Sequence, residues 1–540
     1  MKNMIVSFAF FALIAMPQGC GNGGETAVDG EAEDGPDTSL DAGSDADATG
    51  ETADDGEQGD AFTDPDADDP ADAAGDELVA PACDEDHPEW TVGLLTCAPE
   101  SFNGYTLVAP LRSTRTFLID IRGRLVNAWD SDYQPGNAVY LLENGHLLRT
   151  GTVGRDVNPR FTSGGAGGIV QEFDWDGNLV WSYAYTSDHC LQHHDVEMMP
   201  DGNVLVLAWE LKTAGQAIAA GRDPAYLPDG ELWPDHIIEV EPTGPTTGDI
   251  VWEWHIWDHL IQDFDPTKDN YGAVAEHPEL VDLNWTVIAG PVRGAADWNH
   301  MNSLDYNEEL DQIILSVHEM SEIYIIDHST SAAEAASHEG GRSGNGGDIL
   351  YRWGNPMVFG AGEPVDQQLW AQHDAHWIET GCPGAGNILV FNNGMRRPGL
   401  EQYSTVDELV LPPVDDNGNY ALDPGPAYGP QEPAWMYLAD PPTDFFSSNI
   451  SGSQRLANGN TLICNGAFGI IFEVAPDGGI VWMYVNPVDG RGPLIQGSPV
   501  PADGNGRTNT VFRAYRYAPD YPGLEGRDLT PGDYLEQPAE

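Results

Sequence analysis

Short apolar segments alternate along the chain with turns rich in glycine, aspartate and asparagine, and two kinds of hairpin recur. In the first kind, a glycine-containing turn leads into a strand that ends in two aromatic residues, as in 248–254 and 347–353. In the second kind, Asp-Gly or Asn-Gly separates two apolar strands, as in 199–207 and 456–463. These dipeptides between apolar runs are strong hairpin signals, so the pattern predicts an all-β chain.

One copy of each hairpin makes the four antiparallel strands of a β-propeller blade. Pairing the copies in order predicts five blades, near 137–184, 194–254, 300–353, 373–438 and 450–486. A C-terminal hairpin near 494–517 then lacks outer strands, and an N-terminal segment near 105–129 supplies outer strands without inner ones. Together they predict a sixth blade that closes the ring and removes its exposed sheet edges. An open sandwich would not explain these complementary ends.

The histidines fall at a repeated position. Counting back eight residues from the turn glycine reaches the entrance of each innermost strand, and strand matching sets the place in blade three, which lacks the glycine. The residues there, in blades one to five, are Asn137, His194, His300, His373 and Ser451. Because innermost strands surround one axis, we expect the three histidines to converge at one mouth of the channel. We interpret His193 and His376 as packing or hydrogen-bonding residues.

The N-terminus predicts export. Lys2 precedes an apolar run, 4–16, that is too short to span a bilayer. It ends in Gly19-Cys20, which resembles a bacterial lipoprotein signal. That resemblance implies that residues 1–20 are a signal peptide, that Cys20 is lipidated, and that the protein is held in the cell envelope, at the outer membrane facing the periplasm or the exterior. An ordinary signal peptide is the alternative.

Charge and composition separate a tether from the body. Residues 21–80 are mostly Asp, Ala, Gly, Glu and Thr without Lys or Arg, and such a segment cannot bury enough surface to fold. We therefore expect an acidic disordered tether at 21–80 and one propeller domain at 81–540. The net charge of −66 argues against nucleic acid as a partner.

Five cysteines remain besides Cys20. Pairing is permitted in an exported protein, and Cys83 and Cys97 are near enough in sequence to close a small loop. The odd number leaves at least one free thiol, for which we favour Cys464. No C-x-x-C pair occurs, so a zinc ribbon is not indicated.

Several motifs resemble those of the bacterial aryl-sulfate sulfotransferase family over roughly residues 100–517. They are Gln-His-Asp-Ala at 372–375 with 388–394, His-His-Asp at 193–195, the segment 298–303, and the segment 453–462. The resemblance implies a six-bladed propeller in which His373 attacks the sulfur of an aryl sulfate and carries the sulfuryl group to a phenolic acceptor. It implies no cofactor, no metal and no nucleotide sulfate donor (PAPS). His194 and His300 would stabilise the sulfate oxygens and move protons, and Asn302 matches a neighbouring polar site residue.

One position departs from the family pattern. His318 stands where the family usually has arginine, and histidine is charged only part of the time. Either His318 performs this role less strongly, Arg352 or Arg396 substitutes, or the substrate differs. Two other functions remain open: a non-catalytic propeller that binds glycans or proteins at the cell surface, and a metal-dependent hydrolase with the histidines as ligands.

Overall fold

The computed structural model describes residues 83–286, 296–399, 401–421, 428–504 and 506–539. The predicted signal segment with Cys20 and the predicted tether at 21–80 lie outside these residues. Within them, no helix is both long enough and apolar enough to cross a membrane.

The described chain is all-β, with six sheets arranged as a six-bladed β-propeller; five of them have four strands, and the sheet of blade five has two more at its outer edge. From the innermost strand outwards, blade one contains Pro135–Leu141, Leu147–Thr152, Gly168–Phe173 and Leu179–Ala184. Blade two contains Cys190–Met198, Val204–Glu210, Asp235–Gly244 and Thr247–His255. Blade three contains Met301–Asn307, Gln312–Val317, Glu322–Asp327 and Tyr351–Trp353. Blade four contains His373–Trp377, Ile388–Asn392, Thr405–Leu409 and Trp435–Tyr437. Blade five contains Gly452–Arg455, Thr461–Asn465, Ile470–Val474 and Ile480–Val485.

Blade six combines N-terminal and C-terminal strands, as predicted, but three of its four strands come from the N-terminal segment. Its innermost strand is Val511–Tyr517, and its other three strands are Tyr105–Pro110, Arg115–Ile119 and Leu125–Asp130. The expectation of a complete inner hairpin at 494–517 is wrong, because only one strand of this blade comes from the C-terminus. Ala502–Asp503 and Gly506–Arg507 instead pair in a small separate sheet, and these strands are too polar and exposed to line the axis.

The aromatic residues that end the outermost strands join neighbouring blades. In every blade, one tryptophan of the outermost strand donates its indole N–H to a backbone carbonyl of the next blade, over 2.6–3.5 Å. The six donors are Trp129, Trp181, Trp254, Trp353, Trp435 and Trp482, and the last reaches Ile121 of blade six. A buried indole N–H needs such a partner, so the repeated aromatic motif also holds neighbouring blades together.

The N-terminal part of the body packs on blade five. Gly93–Cys97 pairs with its outermost strand and Glu85–Asp86 extends the sheet further. The Cys83–Cys97 disulfide, which the sequence predicted, ties the start of the described chain to this edge. Cys464 is free and buried, as predicted, and Cys382 is free as well.

Short elements connect the blades. The helices are Ala214–Ala219 and Ala332–Ala335, and the 3-10 turns are Pro224–Tyr226, Ile256–Asp258, Val274–Glu276, Pro356–Phe359, Pro364–Asp366, Pro442–Asp444, Gly466–Phe468 and Pro522–Leu524. The remaining two-stranded pairs are Lys212–Thr213 with Glu231–Leu232, Leu260–Ile261 with Val281–Asp282, and Val488–Asp489 with Gly492–Pro493. These connections carry the residues that cover the channel mouth and the outer rim.

Candidate active site at the channel mouth

Four histidines form a continuous chain of ring contacts where the innermost strands begin. Ring centroids are 4.7 Å apart for His194 and His300, 5.1 Å for His300 and His318, and 5.3 Å for His318 and His373. His194, His300 and His373 come from the repeat positions of blades two, three and four. His318 joins them because it directly follows the second strand of blade three. The structure therefore brings together all four histidines singled out from the sequence.

The backbone helps to aim these side chains. His194 and His300 have φ of 51° and 53°, and the corresponding residues of blades one and five, Asn137 and Ser451, have φ of 107° and 90°. Left-handed conformations are uncommon for residues other than glycine and concentrate at functional sites. At His373 the turn comes one residue later, since Asp374 has φ of 59°.

His373 has a defined tautomer. The Asn393 amide donates to the carbonyl oxygens of Ser447 and Ile450 over 3.0 and 2.9 Å, so its Oδ1 faces His373 Nδ1 at 2.8 Å. Nδ1 therefore carries the proton and Nε2 carries the lone pair, to which the Ile450 N–H donates over 3.2 Å. Burial lowers the pKa of His373 well below its usual value, and His318 acts in the same direction. A neutral imidazole with a fixed Nε2 lone pair is the form that attacks an electrophile.

His194 is oriented by a second histidine. His193 Nε2 lies 2.9 Å from Asp235 Oδ1, and its Nδ1 lies 2.9 Å from His194 Nδ1. If His193 donates to Asp235, its Nδ1 accepts from His194, which leaves the lone pair of His194 Nε2 for a ligand. Burial lowers the pKa of His194 well below its usual value, so this ring is neutral. The interpretation of His193 as a hydrogen-bonding residue agrees with this contact.

A glycine-rich loop covers His194. The Gly165 carbonyl accepts the His194 N–H over 3.0 Å, and a Cβ at Gly165 would lie 2.0 Å from the His194 ring. Only glycine permits this approach.

His300 is the cationic member of the cluster. Burial alone would lower its pKa, but the Asp297 carboxylate, 2.5 Å from Nδ1, raises the pKa of His300 to about 9. The ring is therefore an imidazolium at neutral pH and offers its remaining N–H to an anion. His318 differs: burial lowers its pKa even though Glu319 lies 3.1 Å from its Nδ1.

The two candidate substitutes for an arginine at position 318 lie in different places. Arg396 pairs with Glu319 over 3.1 Å, and the same carboxylate contacts His318. Glu319 therefore lies between the arginine and the histidine. Arg352 is buried in an ion pair with Glu322 and also donates to the carbonyls of Pro278 and Leu280. The Arg352 guanidinium therefore stabilises the packing of blade three. Of the two candidate substitutes, Arg396 is the one whose charge lies beside the histidine cluster.

Asn302 supports the strand that carries His373. Its amide donates to the Gln372 carbonyl over 2.8 Å, and its Oδ1 has no hydrogen-bond partner among the described residues. This buried hydrogen bond connects blade three to Gln372, the residue before His373.

Below the histidines, Arg513 crosses the channel. It comes from the innermost strand of blade six and forms ion pairs with Asp195 over 2.7 Å and with Asp374 over 2.9 Å. It also donates to the Asn302 carbonyl over 2.6 Å. Each aspartate directly follows a site histidine, so one guanidinium holds two His-Asp pairs and the backbone of Asn302. Arg513, Asp297, Asp235 and Asn393 were not identified as site residues. Arg513, Asp235 and Asn393 contact positions far apart in the sequence, whereas Asp297 lies only three residues before His300 and was missed because no repeat position marks it.

Two cavities flank this layer. A cavity of about 280 Å³ is lined by Asn137, Arg155, Phe161 and Gly165, among others, and Gly165 contacts His194. A larger cavity of about 790 Å³ has Arg513, Glu197 and His376 in its lining. None of the four site histidines lines either cavity. His376 is thus separated from the cluster despite sharing a strand with His373.

The charge of His300 predicts a pH dependence. Because its pKa is about 9, we expect kcat/KM for an anionic substrate to fall as pH rises through about 9, where the positive charge is lost. Asp297→Asn removes the group that raises this pKa, so the alkaline limb is expected to move to lower pH. A pH profile of the wild type and this variant measures the shift; an unchanged alkaline limb in Asp297→Asn would contradict the assignment.

Fold and candidate site together describe a β-propeller protein with a cluster of four histidines where its innermost strands begin. The sequence model of the arylsulfotransferase (ASST) family matches residues 102–477. The chain belongs to the arylsulfotransferase family. Membership assigns the general activity, aryl sulfotransfer, which requires a donor and an acceptor.

Other comparisons are more distant. No curated protein matches the sequence. Among solved structures, a protein of unknown function from Bacteroides caccae is 12% identical, with a TM-score of 0.37, over 71% of this chain and 94% of that one. An inactive virginiamycin B lyase from Staphylococcus aureus with quinupristin is 7% identical, with a TM-score of 0.32, over 75% of this chain and 91% of that one.

Proposed function

We propose that this protein moves a sulfuryl group from an aryl sulfate to a phenolic acceptor through a sulfo-histidine at His373. The observation that carries the proposal is the tautomer of His373: its Nδ1–H is held by Asn393, so Nε2 carries the lone pair, which in this structure accepts only the long contact from the Ile450 N–H, at 3.2 Å. Family membership supports the general activity, and the neighbouring charges support the individual steps.

In the first step, the lone pair of His373 Nε2 attacks the sulfur atom, an N–S bond forms, and the bond from sulfur to the aryl oxygen breaks. The Ile450 N–H, released from Nε2, is then available to a sulfuryl oxygen. His300, as an imidazolium, gives its proton to the leaving phenolate. The 280 Å³ cavity with Phe161 and Arg155 suits an aromatic anion.

In the second step, the acceptor phenol replaces the released phenol. Neutral His300 takes back a proton from the acceptor hydroxyl, the acceptor oxygen attacks sulfur, and the N–S bond breaks. His194, neutral and held by His193, packs against the His300 ring at 4.7 Å between centroids and keeps it in place for this proton transfer. No group is consumed, and the two substrates react in a ping-pong order.

Mass spectrometry tests this mechanism. Protein mixed with a chromogenic aryl sulfate and no acceptor is expected to gain one sulfuryl group on the peptide containing His373, and added phenol is expected to remove it. Rapid turnover without the adduct under fast quench, or an adduct on another peptide, would contradict the proposal. Turnover that is abolished by chelator and restored by zinc would favour the metal-dependent hydrolase.

His318→Arg is expected to keep or increase activity. Arginine stays charged at every working pH and offers a fork of donors to sulfate, whereas burial keeps His318 largely neutral. The added cation would lie beside Glu319, which already pairs with Arg396. KM for the aryl sulfate measures the effect, and His318→Gln is the neutral control. A large loss of activity in His318→Arg would show that this position requires an imidazole.

We also propose that the protein is anchored in the cell envelope by a lipid on Cys20. The support is the apolar segment ending in Gly19-Cys20. Cys20→Ser is expected to release the protein from the membrane fraction, and labelling with a fatty acid should be lost. Unchanged membrane association of this variant would contradict the proposal.

A further inference from the structure

A second group of potential ligands lies on the outer rim, between blades two and three. His259 follows the last strand of blade two, and His338 and Asp348 lie in the connection between the third and fourth strands of blade three. His259 Nδ1 and His338 Nδ1 lie 2.8 and 2.7 Å from the same oxygen, Asp348 Oδ1. These three residues take no part in the channel-mouth site.

The hydrogen bonds of His259 define its tautomer. Its Nε2 lies 2.8 Å from the Ala335 carbonyl oxygen, which only accepts, so Nε2 carries a proton. Nδ1, the other ring nitrogen, lies 2.8 Å from Asp348 Oδ1 and is therefore the atom available to coordinate a cation together with that oxygen.

The arrangement around His259 matches that of metal-binding histidines. Such residues usually donate the second ring N–H to a backbone carbonyl or a carboxylate, which fixes the coordinating nitrogen, as Ala335 does here. The His259 side chain is fully buried and Asp348 is 8% exposed, whereas His338 is 58% exposed. Burial therefore fixes the positions of His259 and Asp348, and the third potential ligand, His338, faces solvent.

We propose that His259, His338 and Asp348 bind one divalent transition-metal ion of the zinc class, which links blade two to blade three. Two imidazole nitrogens and one carboxylate oxygen are ligands that zinc accepts, and a water molecule completes a tetrahedral site. Ligand atoms in such a site are roughly 3.3 Å apart. Both contacts to Asp348 Oδ1 therefore have to lengthen by roughly half an ångström. The exposed His338 ring has room to move outwards, and a small rotation of the Asp348 carboxylate lengthens its contact with His259. This inference does not rest on the proposed function.

Cobalt and zinc binding to the full mature protein test the proposal. After chelator treatment, we expect one equivalent of Co²⁺ to bind with visible absorption bands of a four-coordinate site, Zn²⁺ to displace it, and Zn²⁺ to raise the melting temperature. His338→Ala, a change at an exposed side chain, is expected to weaken Co²⁺ binding at least tenfold and to abolish the rise. His277→Ala, a half-exposed histidine paired with Glu279, is the control and should bind as the wild type does.

Three outcomes would overturn the inference. The first is less than a tenth of an equivalent of Co²⁺ bound, which would mean that a proton alone lies between His259 and Asp348. The second is binding that survives both His338→Ala and Asp348→Asn. The third is binding lost in His194→Ala and kept in His338→Ala, which would place the ion at the channel mouth.

Discussion

Replacing His373 with alanine is expected to lower turnover by roughly 10⁴-fold or more, because no other group can form the covalent intermediate. His300 cannot take over because it is protonated and paired with Asp297, and neither His194 nor His318 has the contacts with Asn393 and Ile450 that position His373. Steady-state kinetics with an aryl sulfate and a phenol measure the loss, and the sulfuryl adduct should disappear with it.

His376→Ala is the matched control for this variant. The residue lies three positions further along the same strand, and its Nδ1 contacts the Asp374 carbonyl oxygen over 3.0 Å on the side of the larger cavity. We expect it to fold and to keep activity within about threefold, on the usual scale for a residue outside the chemistry. Wild-type turnover by His373→Ala, with a normal melting curve, would exclude this residue as the nucleophile.

Arg513→Met is expected to cost about 3–5 kcal/mol of folding free energy, because removing one member of a buried ion pair leaves its partners charged and unpaired. Here both Asp195 and Asp374 lose their counter-ion, and neither is exposed. Activity should fall too, since the two carboxylates fix the backbone beside His194 and His373. Denaturant unfolding and kinetics measure the two effects separately.

Arg491→Met is the control for loss of an arginine. Arg491 also pairs with an aspartate, Asp489, but its side chain is 71% exposed, and exposed pairs contribute at most about 1 kcal/mol. A second variant, Arg513→Met with Asp374→Asn, should recover part of the stability without recovering activity. If Arg513→Met were as stable and active as Arg491→Met, the central ion-pair cluster would have no supporting role.

The fold could largely be predicted because its signals are local. Asp-Gly and Asn-Gly turns and the aromatic ends of the outer strands repeat once per blade, and the structure shows that each outer-strand tryptophan has the same task, a hydrogen bond to the next blade. The closing blade was only partly predicted. Asp503-Gly504 has the turn signal of an inner hairpin, but the strands around it are exposed. The turn signal is the same for an exposed hairpin and for a buried one, so only the folded structure distinguishes them.

The same distinction holds for the site. The positions of His194, His300 and His373 follow from the repeat, and His318 and Asn302 from the family resemblance. The protonation of each ring depends on its partners: Asn393 for His373, Asp297 for His300, and Asp235 through His193 for His194. Asn393 and Asp235 come from other parts of the chain, so no spacing indicates their contacts. Asp297 is only three residues from His300, but the sequence does not show that its carboxylate turns towards the ring.

The origin of the closing strand bears on when the enzyme becomes active. Val511–Tyr517 is synthesised after every other described blade strand, and it supplies both the innermost strand of blade six and Arg513. Until this strand is made, blade six has no innermost strand, and the aspartates beside His194 and His373 lack the Arg513 guanidinium. Blades one to five can form from local contacts during synthesis, but the site histidines gain their final support only after this strand has been added. We therefore expect a chain that stops before Val511 to be inactive.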